Sequence, residues 1–147
     1  MKYNKVQDLE ISALGFGCMR FPLLEDGKTI DEDQVAKMFD IAIKGGVNYF
    51  DTAWPYHEGM SEIVTGKTLK KYPRDSYYLA SKFPAFQYKV GAEDNPKPSE
   101  IFEKQLEKCV FEYFDFYLCH NVSERTLPVF EDPEIGIIPY LIKQKEL

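Results

Sequence analysis

Four polar side chains in this sequence have the types and the spacing of a general acid–base site. Asp51, Tyr56, Lys82 and His120 each follow an apolar run directly or within a short loop. A tyrosine donates a proton at neutral pH only when a nearby cation stabilises its phenolate, and a half-buried lysine supplies that cation. A carboxylate keeps the lysine charged, and a histidine can donate a hydrogen bond to a substrate carbonyl oxygen. Together they predict a site that protonates an oxygen while hydride reaches the carbonyl carbon.

Each of these residues alone also has an ordinary structural explanation. Asp51 could cap a turn, Lys82 could be a solvated loop charge, and Tyr56 is one of ten tyrosines. His120 could be a loop histidine with locally paired nitrogens. Chance placement of all four at successive strand ends is much rarer, which favours the functional interpretation. The acidic residues that we interpret as structural are Glu62 and Asp115.

The strands that must position these residues are predicted from short apolar runs. Their ends lie 31 to 38 residues apart, near Gly17, Asp51, Lys82 and His120. The runs themselves are Ala13–Gly17, Val47–Asp51, Tyr77–Ser81 and Phe114–Cys119. Barrel enzymes keep their catalytic groups at the carboxyl ends of parallel strands, so this interval would bring the polar groups together.

Helices are predicted between these strands from capping signals and from apolar residues spaced three and four apart. The first is capped by Asp31 and ended by Gly45–Gly46, and the second begins at Ser61. The third carries on one face Phe102, Leu106, Cys109, Val110 and Tyr113. A short hairpin over 3–12 opens the chain, and a helix begins over 139–145. A hairpin followed by four βα units implies an α/β fold with a parallel sheet.

Two arrangements of such units remain open on the residues alone. A closed eight-stranded barrel at this interval needs on the order of 280 residues, whereas the sequence has 147. A flavodoxin-like open sheet suits the length. However, the first predicted βα turn lacks a phosphate-binding G-x-G-x-x-G, and Gly15–Phe16–Gly17 does not lead into a helix.

Composition and charge exclude several classes of protein. With 44% hydrophobic and 29% charged residues, the chain can bury a core, and its length predicts one domain over 1–147. A net charge of −6 without a Lys/Arg cluster argues against a nucleic-acid partner.

No apolar stretch approaches the roughly 20 residues of a membrane span, and no signal core follows Met1, so we expect no membrane partner and a cytoplasmic protein. The three cysteines match neither a disulfide framework nor a zinc site, and we expect no metal.

Segments around the candidate residues resemble the aldo-keto reductase family, especially its bacterial "predicted oxidoreductase" members. These segments are LGFGCMR over 14–20, NYFDTAWPY over 48–56, GMSE over 59–62, SK over 81–82 and LCHN over 118–121. The resemblance runs over nearly the whole chain, and the ordered Asp-x4-Tyr and Ser-Lys motifs make it specific. It implies NADPH-dependent reduction of an aldehyde or ketone on an eight-stranded barrel whose floor is closed by an N-terminal hairpin.

Carried over residue by residue, the resemblance implies a role for each motif. Tyr56 would be the general acid, Lys82 and Asp51 would adjust its acidity, and His120 would orient the carbonyl. The residues implied at the cofactor are Gly17, Cys18 and Met19 under the nicotinamide ring, Arg20 as a neighbour, and Asp51. The residues implied at the substrate are Trp54, His120 and Asn121.

By this comparison the sequence is expected to be the N-terminal half of a (β/α)8 TIM barrel, a truncated domain. The family's phosphate contacts lie mainly on strands five to eight, so the NADPH site is expected to be incomplete. One expected function is the catalytic half of a reductase, weakly active or inactive in isolation. The alternative is a non-enzymatic half-barrel that retains a relic of the four residues and forms a homodimer through its open edges.

Overall fold

Six strands and five helices follow one another along residues 1–146, which are the residues that this computed structural model describes. The strands are β1 (Tyr3–Val6), β2 (Leu9–Ser12), β3 (Phe16–Gly17), β4 (Tyr49–Asp51), β5 (Tyr78–Phe83) and β6 (Phe116–Cys119). The helices are α1 (Glu32–Lys44), α2 (Met60–Leu69), α3 (Pro98–Cys109), α4 (Leu127–Glu131) and α5 (Ile137–Lys145).

The four later strands form one parallel sheet in the order β3-β4-β5-β6. Gly17 is level with Asp51, Asp51 is level with Ala80, and Ala80 is level with Phe116. The carboxyl ends of neighbouring strands therefore lie along one edge of the sheet. The predicted α/β fold with parallel βα units is confirmed, although β3 and β4 are two or three residues shorter at their amino ends than predicted.

The predicted hairpin is present as β1 and β2, which pair antiparallel from Tyr3 opposite Ser12 to Val6 opposite Leu9. Asn48, just before β4, holds it: the side-chain oxygen of Asn48 accepts from Ser12 N at 2.8 Å, and its amide nitrogen donates to a backbone carbonyl of β2 at 2.9 Å. The hairpin therefore lies at the amino end of β4, away from the edge where the strands end.

The first helix begins and ends where its capping signals predict. The carboxylate of Asp31 accepts a hydrogen bond from Gln34 N at 2.9 Å, and Gly45 follows the last helical residue. Its buried face carries Val35 and Phe39. The ring of Phe39 stacks on Phe50 of β4 with centroids 5.0 Å apart, which fixes α1 against the sheet.

The predicted face of α3 is wrong in part. The residues that α3 buries are Ile101, Gln105 and Cys109, whereas Phe102 and Leu106 are only half-buried. The helix ends at Cys109 because Val110 adopts a left-handed conformation with φ 59°, so Val110 and Tyr113 lie outside it and are exposed. A polar residue occupies the central buried position because it bonds to a buried carboxylate of α2, described below.

Two shorter helices complete the described chain. The sequence prediction did not include α4, whose start is held by Thr126: its hydroxyl donates to Asn121 O at 2.6 Å and accepts from Ser123 N at 3.0 Å. The final helix begins two residues before Pro139, which therefore lies in its first turn. Among residues 1–146, no helix has both the length and the apolar character to cross a membrane.

Candidate active site

Lys82 lies at the centre of the candidate site and contacts two of the other three predicted residues. Its Nζ is 2.5 Å from Asp51 Oδ1, 2.8 Å from Thr52 O and 3.3 Å from the hydroxyl oxygen of Tyr56. These contacts account for the three donors of the ammonium group, and the Lys82 side chain is only 12% exposed. The lysine is therefore a fixed cation between a carboxylate and a phenol.

The sheet register explains how Asp51 and Lys82 come together. Asp51 is level with Ala80 on the neighbouring strand, and side chains two residues apart on a strand share a face, so Lys82 stands one step further along on the side of Ala80. Tyr56 comes from the loop after β4 and begins a tight turn over Tyr56–Gly59. Its ring also lies under the ammonium group of Lys82, 4.8 Å from Nζ.

His120 follows β6 and borders the same group of side chains. Its ring meets the ring of Tyr56 edge-on, with centroids 5.8 Å apart, and lies 6.1 Å from the ring of Phe86. Nδ1 is buried and has no hydrogen-bond partner within residues 1–146. Burial, and then the charge of Lys82, lower the pKa of His120, so its imidazole is neutral at pH 7. A neutral imidazole beside the phenol can donate one hydrogen bond to an oxygen placed between them.

The segment after β3 lies next to Asp51 and presents an open surface. Cys18 N donates to Asp51 O at 2.8 Å. No heavy atom lies within 4 Å of the point where a Cβ on Gly17 would stand, and Met19 is 53% exposed. Arg20 is exposed as well. This open space beside an apolar side chain leaves room for a flat ring such as nicotinamide.

Trp54 contacts a lysine of α3, and Asn121 is not joined to the four-residue group. The indole of Trp54 is half-buried and packs against Lys108, whose Nζ is 4.1 Å from the ring centroid. Asn121 is exposed, has a left-handed backbone with φ 52°, and is tied through its carbonyl to Thr126. Within the described residues it makes no hydrogen bond to the other site residues.

The three cysteines are free thiols. Cys18 is fully buried, and this burial raises the pKa of its thiol to about 12, so it is not a nucleophile at neutral pH. Burial also raises the pKa of the thiols of Cys109 and Cys119. In the part of the chain that the structure describes, no cluster of three or more His, Cys, Asp and Glu side chains is placed to hold a metal ion.

Glu62, which we interpreted as structural, is a fully buried carboxylate on α2 that bonds to both β5 and α3. Its Oε1 accepts from Ser81 Oγ at 2.7 Å and from Gln105 Nε2 at 2.5 Å, and its Oε2 accepts from Lys108 Nζ at 3.2 Å. Gln105 Nε2 also lies 3.2 Å from the carbonyl oxygen of Lys82. This network holds the backbone at the end of β5 from the side opposite the Lys82 ammonium group.

The residue before it, Ser61, joins the other two strand ends. Its hydroxyl donates to Cys18 O at 2.7 Å and lies 2.8 Å from Thr52 Oγ1. The first turn of α2 therefore contacts the chain just beyond β3 and β4 through Ser61, and β5 through Glu62. Sequence reasoning missed these supporting roles, and the available signal was the Ser-Glu pair within the quoted GMSE segment.

Asp115, the other acidic residue that we interpreted as structural, lies at the amino end of β6. Its carboxylate pairs with Arg74 at 2.6 Å and accepts from Leu79 N at 2.8 Å. Arg74 is in turn packed against the ring of Tyr113. This group holds the opposite edge of the sheet from the one that carries Lys82.

Comparison with known proteins identifies the family of the chain. The model of the aldo/keto reductase family matches residues 13–140, so the chain belongs to this family and the predicted resemblance is confirmed. A curated relative, a probable aldo-keto reductase of Glycine max, is 29% identical over 142 residues, covering 94% of this chain and 40% of the relative.

Solved aldo-keto reductases share the fold. One from Bacillus halodurans in its holo form is 29% identical with a TM-score of 0.66, and the match covers 93% of this chain and 48% of that one. Another from Klebsiella pneumoniae, in complex with NADPH, is 22% identical with a TM-score of 0.68, covering 94% and 44%. The chain thus spans less than half the length of these relatives. The match favours four units of a barrel over a flavodoxin-like open sheet.

Proposed function

We propose that residues 1–147 form the catalytic half of an NADPH-dependent reductase of the aldo-keto reductase type, which reduces an aldehyde or ketone to an alcohol and is weakly active or inactive as the isolated chain. The observation that supports this most is the placement of Lys82 Nζ within 3.3 Å of both Asp51 and Tyr56 at the carboxyl end of a parallel sheet. Membership of the family adds to this support. We also propose that the protein acts in the cytoplasm, where three free thiols are stable.

In the proposed reaction, NADPH, when bound, would supply a hydride to the carbonyl carbon. Tyr56 transfers its phenolic proton to the carbonyl oxygen as negative charge develops there. Lys82 stabilises the phenolate that remains, and Asp51 orients the ammonium group. His120 donates a hydrogen bond to the same carbonyl oxygen, and its neutral imidazole avoids competing with Tyr56 as the acid. Solvent returns the proton to Tyr56 after the alcohol leaves.

Replacing Tyr56 with phenylalanine tests this proposal, because the variant keeps the ring and removes the proton. We expect the rate of aldehyde-dependent NADPH oxidation to fall about 10²–10⁴-fold, the usual contribution of general acid catalysis. NADPH affinity should barely change. Single-turnover reactions with excess protein make a weak rate measurable, and Tyr78→Phe on β5 is the control for loss of a tyrosine hydroxyl. Near-normal turnover by Tyr56→Phe would contradict the assignment of the acid.

A second candidate function is self-association without catalysis, and the exposed surface of β6 favours it. Both β3 and β6 pair with a neighbour on one side only. Beside β6 lies a groove of about 530 Å³, lined in part by Phe114, Tyr117, Ile138 and Leu141. Burying apolar surface contributes about 25 cal/mol per Å², which favours a second copy over this groove.

Size-exclusion chromatography with light scattering tests the second candidate. We expect a dimer whose fraction rises with concentration. A monomer of 17.1 kDa at every concentration would contradict it.

A further inference from the structure

A histidine outside the four-residue group, His57, makes a hydrogen bond and a ring stack with Phe21. The backbone N–H of Phe21 donates to Nε2 of His57 at 2.7 Å. The two rings are stacked, with centroids 5.5 Å apart and planes inclined by 15°. Phe21 is buried and His57 is half-buried. The contact joins the segment after β3 to the turn that begins with Tyr56.

The backbone of this turn is unusual and directs the imidazole. Three successive residues are left-handed: His57 has φ 51°, Glu58 has φ 55° and Gly59 has φ 89°. Histidine is one of the few side chains enriched in that conformation, and such a run persists only where surrounding contacts fix it. The bond to Phe21 is one such contact, and Tyr56, the adjacent residue, is fixed on its other side by Lys82.

The segment between Cys18 and Phe21 is held at both of its ends. Cys18 N donates to Asp51 O, and Cys18 O accepts from Ser61 Oγ. Phe21 is held by His57. The two residues between these anchors, Met19 and Arg20, are exposed. Because the first anchor lies on β4 and the second on the Tyr56 turn, the exposed pair is fixed relative to both.

We propose that His57 is a positioning residue that, as a neutral imidazole, holds Met19 and Arg20 beside Asp51 and the Tyr56 turn. This inference depends on the proposed function only for the identity of the bound molecule, the nicotinamide cofactor. It assigns to His57 no contact with substrate or cofactor.

The requirement for a neutral imidazole follows from the direction of the bond. Nε2 accepts from the Phe21 amide, so protonation of Nε2 would set two N–H groups against each other and break the contact. Burial lowers the pKa of His57 from its ordinary value of 6.5, so the bond is present at neutral pH and lost as pH falls.

The charged groups on the elements packed against His57 do not pair with it. Glu58 lies on its own turn, Arg20 precedes Phe21, and Glu62 lies on the adjoining helix α2, where it binds Lys108. Within residues 1–146, none of them forms an ion pair with the imidazole of His57. Burial is therefore the dominant influence on its protonation.

Two substitutions at His57 separate the effect of its hydrogen bond to Phe21 from the effect of its left-handed backbone conformation. In His57→Gln, the amide oxygen can reach the place of Nε2, so the variant keeps an acceptor that does not titrate. In His57→Asn, the side chain suits the left-handed backbone but is too short to reach Phe21. The pair therefore forms a matched test in which only one variant retains the contact.

Amide hydrogen exchange at Phe21, followed residue by residue by NMR, measures the contact directly and needs no cofactor. We expect the protection of the Phe21 amide to fall on the order of tenfold in His57→Asn and to be retained in His57→Gln. In the wild type this protection should decrease as pH falls below about 6.5, whereas in His57→Gln it should not. The amide of Val35, bonded to Asp31 in α1, reports whether a variant has unfolded.

The other histidine, His120, is present in both variants, so a pH dependence between about pH 5 and 7 that His57→Gln retains belongs to His120. Equal protection of the Phe21 amide in the wild type and His57→Asn at every pH, with Val35 protected in both, would overturn the proposal. If the Val35 amide also exchanges faster in His57→Asn, that variant has unfolded. The proposal is then tested by whether protection of the Phe21 amide falls with pH in the wild type but not in His57→Gln; the same pH dependence in both proteins would overturn it.

Addition of NADPH to the same samples tests the functional part separately. We expect shifts of the Met19 and Arg20 amides to be larger in the wild type and His57→Gln than in His57→Asn. Equal shifts in all three proteins, with protection of Phe21 lost in His57→Asn, would overturn the positioning role. Absence of any shift in the wild type would contradict the proposed cofactor, whereas exchange at Phe21 would still decide the role of His57.

Discussion

Replacing Gly66 with alanine should destabilise the protein, because α2 and α3 meet at this residue backbone to backbone. A Cβ on Gly66 would lie 2.1 Å from the carbonyl oxygen of Cys109 and 2.6 Å from its Cα. Ordinary contact at a Cβ begins near 3.4 Å, so the two helices would have to separate by more than an ångström. Because the opposing atoms belong to the backbone, no side chain can rotate to relieve the clash.

The size of the effect follows from two opposing contributions. Overpacking a close contact costs about 1–3 kcal/mol, occasionally more. Alanine in place of glycine within a helix returns up to about 1 kcal/mol. Separating the helices also lengthens the hydrogen bond between Gln105 on α3 and Glu62 on α2, which is buried. We therefore expect a net loss of about 2 kcal/mol in the free energy of unfolding.

Urea denaturation measures this loss as a lower midpoint at an unchanged m-value. Gly17→Ala is the matched control, because Gly17 has open space around its missing Cβ and no left-handed φ. Its free energy of unfolding should change by less than about 0.5 kcal/mol. A midpoint for Gly66→Ala at or above the wild-type value would refute the reasoning from the close helix contact.

Two further predictions concern the buried carboxylate and the cofactor. Glu62→Gln leaves the Lys108 ammonium group without its charged partner and should lower the free energy of unfolding by about 1–3 kcal/mol. Glu32→Gln, which breaks an exposed pair with Lys67, should cost less than about 1 kcal/mol; equal urea midpoints for the two variants would contradict this. We expect the 147-residue chain to bind NADPH weakly, because the resemblance implies that most phosphate contacts lie on strands five to eight; micromolar binding by calorimetry would contradict this.

The sequence was sufficient to place Asp51, Tyr56 and Lys82 at one edge of a parallel sheet. Strand ends marked by glycine or by a change from apolar to polar residues identified the edge of the sheet. The register seen in the structure, with Asp51 level with Ala80, then places Lys82 next to Asp51. Prediction succeeded here because each step depended on local pattern and on the geometry common to all parallel sheets.

The buried polar contacts could not be predicted in the same way. Gln105 occupies a core position because Glu62, 43 residues earlier, needs donors, and no local pattern in α3 indicates this. Apolar periodicity instead favoured Phe102 and Leu106 as the buried face. The left-handed backbone at His57 is equally hidden, since histidine occurs in both helical and left-handed conformations.

These buried side-chain contacts explain how the residues just beyond β3 and β4 are held in place although both strands are short. β3 has only two residues and β4 only three, so few ladder hydrogen bonds fix the chain just beyond them. The carbonyl oxygens there are paired by side chains instead: Ser61 donates to Cys18 O, and Lys82 donates to Thr52 O. Buried carbonyls left unpaired are costly, and bonds between buried groups strengthen in a low dielectric. Lys82 therefore both pairs a backbone carbonyl oxygen and contacts Tyr56. A change that breaks the carbonyl bond is expected to disturb the contact with Tyr56, and the reverse.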